Sequence, residues 1–209
     1  IDREQYEETR PNIEVRVGAV LSLERIARDS DRDVEHIFGI LATYVRENTR
    51  READASTKLP STSTKVREDI QAAVSVVCQT KGRLSINNGV KHERRSFRPN
   101  FANVVLDGIQ AANSSFEGMI LDASSWVGAD LGYSSFRNSV STDSFDLSGA
   151  ELEGCDFSHA HLNSIKLTKE TGFLETSFKS AELWKIDFSV LQELTALDFT
   201  KSRIYSCCF

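Results

Sequence analysis

Three side chains in this sequence have the types and the close spacing that metal chemistry uses: Cys155, His159 and His161. A thiolate and imidazoles are typical ligands of Zn²⁺. The sequence contains no glycine-rich phosphate loop, no nucleophile elbow and no paired zinc motif. Scattered Asp and Glu residues supply acid and base groups, but nothing in their spacing selects a pair. Whether the three residues share one ion depends on the backbone that positions them.

Composition narrows the class of protein. The 209 residues are 40% hydrophobic and 27% charged, which predicts one or two globular domains with a real core. Four dispersed cysteines, with Cys207 and Cys208 adjacent, do not form a disulfide framework, which favours a cytoplasmic location. No apolar run approaches the roughly 20 residues that span a bilayer. Because the sequence begins at Ile1, a membrane segment before it stays an open alternative.

Charge divides the chain into two halves. Residues 1–96 carry 17 Lys and Arg against 16 Asp and Glu, whereas residues 97–209 carry 8 against 15. The net charges are therefore +1 and −7, which add to the −6 of the whole chain. An acidic half usually serves solubility, and the sharper alternative is an acidic surface that meets a basic partner. The basic stretch KHERRSFR at 91–98 is typical of a solvated linker.

Helical periodicity dominates the first half. Apolar residues recur at three- and four-residue steps in three segments, which predicts three amphipathic helices. We expect a near-capping box at Ser30 and Asp33 to begin the second helix, and the third to stop near Gly82. A polar linker with Pro60 separates these two helices. The predicted buried stripes are Ile13, Val17, Val20, Leu21 and Ile26; Val34, Ile37, Phe38, Leu41, Tyr44 and Val45; and Val66, Ile70, Ala73, Val74 and Val77.

The second half repeats with a period of five. From Phe101 to Phe136 every fifth residue is large and apolar except Ala111. An α-helix rotates such side chains by about 140° per step and a strand alternates them, so neither keeps them together. A coil that turns a corner every five residues does. Residues that tolerate a corner, mostly Gly and Asn, stand two positions after each centre: Asn103, Gly108, Asn113, Gly118, Ala123, Gly128, Tyr133 and Asn138.

The period continues to the last residue with three slips. Each slip adds one residue, which predicts an outward bulge while the core resumes its register. We expect Ala150, Cys155 and Ala160 in small inward positions and no polar side chain at any centre. The later centres are Leu147, Leu152, Phe157, Leu162 and Leu167; Phe178, Leu183 and Phe188; and Leu194, Phe199, Ile204 and Phe209.

This half resembles the pentapeptide-repeat family, whose unit is small–Asp/Asn–Leu/Phe–X–X. ADLGY (129–133), AELEG (150–154), CDFSH (155–159), AHLNS (160–164) and AELWK (181–185) fit the unit best. The resemblance implies a right-handed quadrilateral β-helix with about four units per coil and a length of about 25–30 Å. The predicted fold class is α+β with segregated parts: a helical domain at 1–84, a linker at 85–96 and the pentapeptide-repeat β-helix at 97–209.

Residues 14–48 and 66–77 are similar to the helical region that precedes the repeats in many bacterial members of the family. In those relatives, membrane-spanning helices often come earlier still. The resemblance therefore implies a cytoplasmic protein, or the soluble part of one held at the cytoplasmic face of the inner membrane by an absent N-terminal segment.

The predicted coil separates the three residues of the metal hypothesis. Cys155 takes an inward position, His159 a corner and His161 an outward position, so they do not easily share one ion. Cys78 lies on a helix stripe and is expected in the core, while His36 and His92 are expected at the surface. We therefore predict no catalytic residue, no metal site and no cofactor.

Outward apolar residues are the candidate interface. Trp184 follows an inward centre, Tyr133 stands on a corner, and Phe173 and Leu174 lie in the interrupting stretch TKETGFLE. We expect these four to form an exposed apolar patch, with a purely structural role for that loop as the alternative.

The last coil is the second candidate interface. Phe199, Ile204 and Phe209 stand at centre spacing with no polar cap after them. This predicts a homodimer stacked end to end through residues 194–209, or a natural chain that continues.

The sequence favours a non-enzymatic protein-interaction scaffold built on the solenoid. The alternative is an acidic rod that mimics DNA and acts on a topoisomerase such as gyrase, or on another DNA-binding protein, as some relatives do. We expect no direct nucleic-acid binding, because this acidic chain lacks a broad basic face. A small-molecule or nucleotide sensor is a third class for which no residue argues, and no residue identifies the protein partner.

Overall fold

The helical half forms three helices. A computed structural model describes residues 12–49, 66–87, 97–192 and 195–209. The helices are α1 (Ile13–Asp29), α2 (Val34–Thr49) and α3 (Glu68–Asn87). Asn12 caps α1, since its side-chain oxygen accepts a hydrogen bond of 3.0 Å from the Val15 N–H. Among the described helices, none is long and apolar enough to cross a membrane.

Two predicted helix boundaries are wrong. Ser30 is the C-cap of α1 rather than the start of α2, and its hydroxyl donates to the Asp33 carboxylate at 2.7 Å. α3 continues through Gly82 to its end at Asn87, because a single glycine inside a helix costs only about 1 kcal/mol relative to alanine. Residues 85–87 of the predicted linker are therefore helical. Residues 88–96, which include His92, and Pro60 lie outside the described residues.

The predicted stripes of α2 and α3 are buried except for Tyr44 and Val66, which are half-buried, whereas that of α1 is buried only in part. Leu21 and Ile26 are predicted in the core but are 50% and 48% exposed. The buried residues of α1 are Val20 and Ala27, which lie two helical turns apart on one side of the helix. α1 therefore meets the other helices along a narrow line. Cys78 is buried, as predicted, with Val34, Ile37, Phe38, Leu41, Val45, Ile70, Ala73, Val74 and Val77.

A buried carboxylate joins the three helices. Asp69 is fully buried and accepts hydrogen bonds from the Tyr44 hydroxyl and from Arg67, whose Nε lies 2.6 Å from Oδ1. Arg16 of α1 lies 3.7 Å from the same carboxylate. Burial alone would raise the pKa of Asp69, but the hydrogen bonds from Arg67 and Tyr44 outweigh it and hold the pKa at about 2. The group therefore stays charged and ties α1 and α2 to the start of α3.

The repeat region is built of parallel coils. Bridges join residues 20 apart in the first coils, as between Asn100 and Ile120, and 21 apart later, as between Glu182 and Arg203. Each coil therefore holds four five-residue units, whose centres stack in four columns. Column 1 is Phe101, Leu121, Ser141, Leu162, Leu183 and Ile204; column 2 is Leu106, Trp126, Leu147, Leu167, Phe188 and Phe209; column 3 is Ala111, Leu131, Leu152 and Phe173; column 4 is Phe116, Phe136, Phe157, Phe178 and Phe199. Leu194 lies outside the described residues.

Short strands form where neighbouring coils pair over more than one residue. Beside column 1, β1 (Val140–Ser141), β3 (His161–Asn163), β5 (Glu182–Trp184) and β6 (Arg203–Tyr205) make a parallel sheet in that order. Beside column 2, β2 (Phe145–Asp146) pairs with β4 (Ile165–Lys166), also in parallel. Backbone hydrogen bonds between coils therefore run along the whole repeat region.

The predicted corners are confirmed. The eight residues that stand two positions after the centres, from Asn103 to Asn138, all have φ between 52° and 72°. This is the left-handed region that Gly and Asn adopt most readily. The small inward residues Ala150, Cys155 and Ala160 are also buried, as predicted.

Column 4 is a stack of phenylalanine rings. The four steps from Phe116 to Phe199 have ring centroids 4.6 to 5.3 Å apart, with the planes nearly parallel. Leu152, Phe157 and Leu162 are buried in three different columns, as predicted. The interior of the coils is therefore filled mainly by the large side chains at the centres.

The expectation of apolar residues at every centre is wrong at Ser141. Ser141 pairs with Leu162 in column 1 and is 1% exposed, and its hydroxyl donates to the Asp143 carbonyl at 2.6 Å. The extra residue of the first slip lies between Ser141 and Leu147. Phe145 from this bulge packs in the core against Trp126, with ring centroids 5.6 Å apart. The serine thus closes the bulge, and Phe145 fills core space near it.

The helices cover the first coil, as predicted. Arg46 of α2 donates to the Asn100 carbonyl at 3.0 Å. Gln71 of α3 donates to the Gln110 carbonyl at 2.6 Å and accepts from the Gln110 N–H at 3.2 Å. Buried residues of the helices and of the coils form one continuous hydrophobic cluster. Helix side chains therefore replace the backbone partners that a preceding coil would supply.

Candidate functional site

The residues of the metal hypothesis do not converge. Cys155 is buried and its thiol donates to the Leu131 carbonyl at 3.1 Å, and burial raises the pKa of this thiol to about 12. His159 is exposed at a corner with φ 61°, and His161 lies 3.0 Å from a Glu182 oxygen. Within the described ranges, no group of three His, Cys, Asp or Glu residues is placed to hold a metal ion.

The predicted apolar patch separates into two surfaces, and one of its members is buried. Phe173 is 3% exposed because the second slip makes it the column 3 centre above Leu152, where it packs against Phe178. Tyr133 and Leu174 are 58% and 43% exposed beside column 3, whereas Trp184 is 42% exposed beside column 1. Columns 1 and 3 are half a coil apart, so these side chains do not form one patch.

We call the first surface the tyrosine surface: Tyr133, Leu174, Asp130, Glu151, Glu153 and Glu175. Tyr133 turns the corner after column 3, and its hydroxyl donates to Glu153 Oε1 at 2.7 Å. Its ring covers Gly154 of the next coil, where a Cβ atom would lie 2.5 Å from the ring. Coil-to-coil hydrogen bonds from Tyr133 to Glu153 and from Gly154 to Leu174 fix the backbone beneath it. The ring is therefore held in place by backbone geometry.

The tyrosine surface is acidic. The hydrogen bond to Glu153 raises the pKa of the Tyr133 hydroxyl, and the charges of Glu153 and Glu175 raise it further. None of Asp130, Glu151, Glu153 and Glu175 forms an ion pair with a described residue. The surface thus combines an exposed aromatic ring with uncompensated negative charge.

The second surface is the aromatic pair Trp184 and Tyr205 on β5 and β6. Their rings are stacked with centroids 3.9 Å apart, and Tyr205 is 38% exposed. Beside them, Glu182 accepts a hydrogen bond of 2.7 Å from Arg203 and also contacts His161. Sequence reasoning missed Tyr205, although Tyr205 follows the centre Ile204 as Trp184 follows Leu183, and this shared offset was the signal.

The last coil exposes apolar residues, as predicted. Ile204 and Phe209 are 39% and 60% exposed, and Phe199 is half-buried. Phe209 stacks on Phe188 at 5.2 Å. Within the described residues, β6 pairs with β5 on one side only.

A comparison with protein-family models agrees with the repeat. The family model for pentapeptide repeats, with eight copies, matches residues 144–169. A search of curated proteins finds no match. Three solved structures are similar over part of the chain. HetL, a pentapeptide repeat protein involved in heterocyst differentiation regulation in the cyanobacterium Nostoc sp. strain PCC 7120, is 18% identical with a TM-score of 0.32. The match covers 52% of this chain and 50% of HetL.

The other two structures are weaker matches. A pentapeptide repeat protein from the thylakoid lumen of Arabidopsis thaliana is 18% identical, with a TM-score of 0.21 over 56% of this chain and 70% of that one. Rfr23 from the cyanobacterium Cyanothece 51142 is 14% identical, with a TM-score of 0.15 over 45% and 58%. The chain thus spans about half the length of HetL and somewhat more of the other two.

Proposed function

Because the chain carries the repeats of the pentapeptide-repeat family, we propose that it is a non-enzymatic protein-interaction scaffold. One observation carries the proposal. Large apolar side chains, Tyr133, Leu174, Trp184 and Tyr205, stand exposed on a backbone that is hydrogen-bonded from coil to coil. A side chain held by a rigid backbone loses little conformational freedom when a partner binds, which favours affinity.

The proposal includes the finer geometry that the resemblance implies. Four units per coil favour a quadrilateral cross-section, and the strong preference for right-handed connections between parallel strands favours a right-handed coil. The helical domain is proposed to extend to the end of α3 at Asn87, and the β-helix to run over 97–209. Cys155, Cys207 and Cys208 form no disulfide with a described residue, which supports a reducing, cytoplasmic setting.

Two side chains of types that often act in catalysis, Cys155 and Asp69, have structural surroundings here. The Cys155 thiol is kept neutral by burial, so it is a poor nucleophile. Asp69, the fully buried carboxylate, is occupied by Tyr44 and Arg67.

The scaffold proposal is tested by capturing partners with the intact chain and with two surface variants. One variant carries Tyr133→Ala and Leu174→Ala, and the other carries Trp184→Ala and Tyr205→Ala. We expect chemical cross-linking and mass spectrometry to identify a protein that the intact chain retains and that one variant loses. Capture of no partner, together with turnover of a substrate by the purified chain, would overturn the proposal.

DNA mimicry is the second candidate function, and the charge of −7 on residues 97–209 favours it. A DNA mimic presents its acids as a continuous series that a basic DNA-binding groove accepts. A gyrase supercoiling assay tests this directly. Inhibition or quinolone protection at micromolar protein would support mimicry, and the absence of both would remove it.

A homodimer through the last coil completes the proposal. If two β6 strands meet about a two-fold axis centred on Ile204, each Arg203 lies opposite the Tyr205 ring of the other copy. An arginine over a tyrosine ring is a favourable cation–π contact. Light scattering tests the dimer: we expect Ile204→Asp to give monomers, and a monomeric parent chain contradicts the proposal.

A further inference from the structure

We infer that the tyrosine surface is a docking site for an arginine-containing, partly aliphatic segment of a partner protein. The inference rests on the proposed scaffold function and names the chemistry of its partner. Tyr133 and Leu174 expose apolar area beside column 3, and Asp130, Glu151, Glu153 and Glu175 flank the centres of the same column. The negative charge of the surface and the fixed position of the Tyr133 ring both favour an arginine-containing segment.

Charge sets the tyrosine surface apart from the other columns. Beside column 1, Glu182 pairs with Arg203 at 2.7 Å; beside column 4, Asp156 pairs with Arg137 at 3.0 Å. Beside column 2, Asp146 lies 3.7 Å from the amine of Lys166. Beside column 3, no described base pairs with Asp130, Glu151, Glu153 or Glu175. This face therefore lacks the cations that the other faces supply from their own sequence.

The backbone is built to present the Tyr133 ring. Tyr133 has φ 59°, and no other Phe, Tyr or Trp of the described chain takes a positive φ. Other corners take the same conformation, with φ 52° at Ala123 and 56° at Glu175, so the fold itself fixes the backbone at Tyr133. The corner directs this side chain outward, where it is 58% exposed.

Gly154 completes the construction. The Tyr133 ring lies against the backbone of Gly154, and a Cβ atom there would lie 2.5 Å from Cδ1 and 2.6 Å from Cε1. The ring therefore packs closely against Gly154 and its hydroxyl is held by Glu153, while the side chain stays 58% exposed.

This arrangement fits a guanidinium group best. Arginine stacks on an aromatic face through its planar group and donates in a fork to carboxylates at the same time. Glu153 and Glu175 are the carboxylates whose charges act on the Tyr133 hydroxyl. Leu174 offers an aliphatic contact to the residues that flank the arginine. Successive coils are about 4.8 Å apart, so an extended segment can contact several of them in turn.

The test uses the full chain and a fluorescein-labelled peptide of alternating Arg and Leu residues. Two matched peptides carry Glu in place of Arg, or Gly in place of Leu. Binding is followed by fluorescence anisotropy at 50 and 300 mM NaCl. We expect the Arg–Leu peptide to bind more tightly than either matched peptide and to weaken with salt, as a partly electrostatic contact must.

Variants locate the binding. Tyr133→Ala removes the ring, and Gly154→Ala displaces it without changing any charge; each should weaken binding about fivefold, the size of a cation–π contact. Glu175→Gln should weaken it about threefold. Gly128→Ala is the matched control for backbone strain, because Gly128 has φ 63° and open space around it. Glu35→Gln on α2 is the control for loss of one negative charge, and both controls should bind as the parent does.

The outcomes separate the two proposals. If Glu35→Gln weakens binding as much as Glu175→Gln, the peptide responds only to net charge and the docking site is refuted. If Gly128→Ala acts like Gly154→Ala, the effect is backbone strain and the inference also fails. If a captured partner is lost only from the Trp184 and Tyr205 variant, the scaffold stands while this site does not. Circular dichroism and the urea midpoint of each variant show whether it is folded.

Discussion

Replacing Phe157 with alanine tests the column architecture most directly. Phe157 is completely buried at the middle of column 4, with its ring centroid 4.6 Å from that of Phe136 and 5.2 Å from that of Phe178. Truncating a buried phenylalanine costs about 3–5 kcal/mol from lost transfer and an unfilled cavity. The neighbouring rings cannot move into the cavity, because coil-to-coil hydrogen bonds of 2.7 Å hold the backbone at Phe136 and Phe157.

The expected loss is therefore in the upper half of that range, about 4–5 kcal/mol. This is a third or more of the stability of a typical domain. Urea denaturation followed by far-UV circular dichroism measures it. The matched control is Phe209→Ala in the Ile204→Asp background, in which the proposed dimer does not cover the ring; it removes the same ring from a residue that is 60% exposed and should cost less than about 1 kcal/mol. A loss below about 1.5 kcal/mol for Phe157→Ala would show that the column is not the core.

Three further changes test other parts of the molecule. The pKa of Asp69 is about 2 when folded and near 3.9 when unfolded, so its stabilisation of about 2.5 kcal/mol is present above pH 4 and lost as the pH falls toward 2. Asp69→Asn should be less stable at pH 7 and should lack this loss, and pH-dependent urea midpoints measure both. Residues 97–209 expressed alone should aggregate, because the first coil loses the partners that Arg46 and Gln71 provide; a soluble monomer in light scattering contradicts this. Ser141→Leu should destabilise the fold by about 1–3 kcal/mol although it restores an apolar centre, because Phe145 already occupies core space near the bulge; a raised melting temperature refutes this.

The repeat was predictable because its rules are local. One large apolar residue every five, and a residue that accepts φ above zero two positions later, are both visible in the sequence, and both hold from Phe101 to Asn138. The helices were less predictable at their ends. The Ser30 hydroxyl bonds to a side chain instead of capping a backbone N–H, and α3 passes through Gly82. Such choices depend on tertiary packing, which outweighs a local preference of about 1 kcal/mol.

The exact place of each slip was the main gap in the prediction. Eleven residues separate Phe136 from Leu147 and Leu167 from Phe178, so a centre lies in each interval at one of two positions. Ser141 follows Phe136 by five residues, and Phe173 precedes Phe178 by five. Hydrophobicity identified neither correctly, because a serine was excluded as a centre and a phenylalanine was assigned to an exposed loop. Counting five residues forward finds Ser141 but gives Gly172, and counting five back finds Phe173 but gives Thr142, so counting alone does not place the slips.

Placing the slip also decides which outward side chains meet, and this is why the tyrosine surface could not be predicted. A coil of 20 residues would set Tyr133 beside Glu153 and Asp130 beside Ala150. The actual coil of 21 residues sets Tyr133 over Gly154 and pairs Asp130 with Glu151. The same spacing of 21 residues between coils brings Arg203 beside Glu182. The negative charge of Glu182 beside column 1 is therefore compensated, whereas the acidic side chains beside column 3 have no such partner among the described residues. One residue in the bulge at 142–145 thus decides whether the Tyr133 corner stacks on Glu153 or packs against Gly154. The sequence shows that the residue is extra, and only the pairing of the coils shows which residues it brings together.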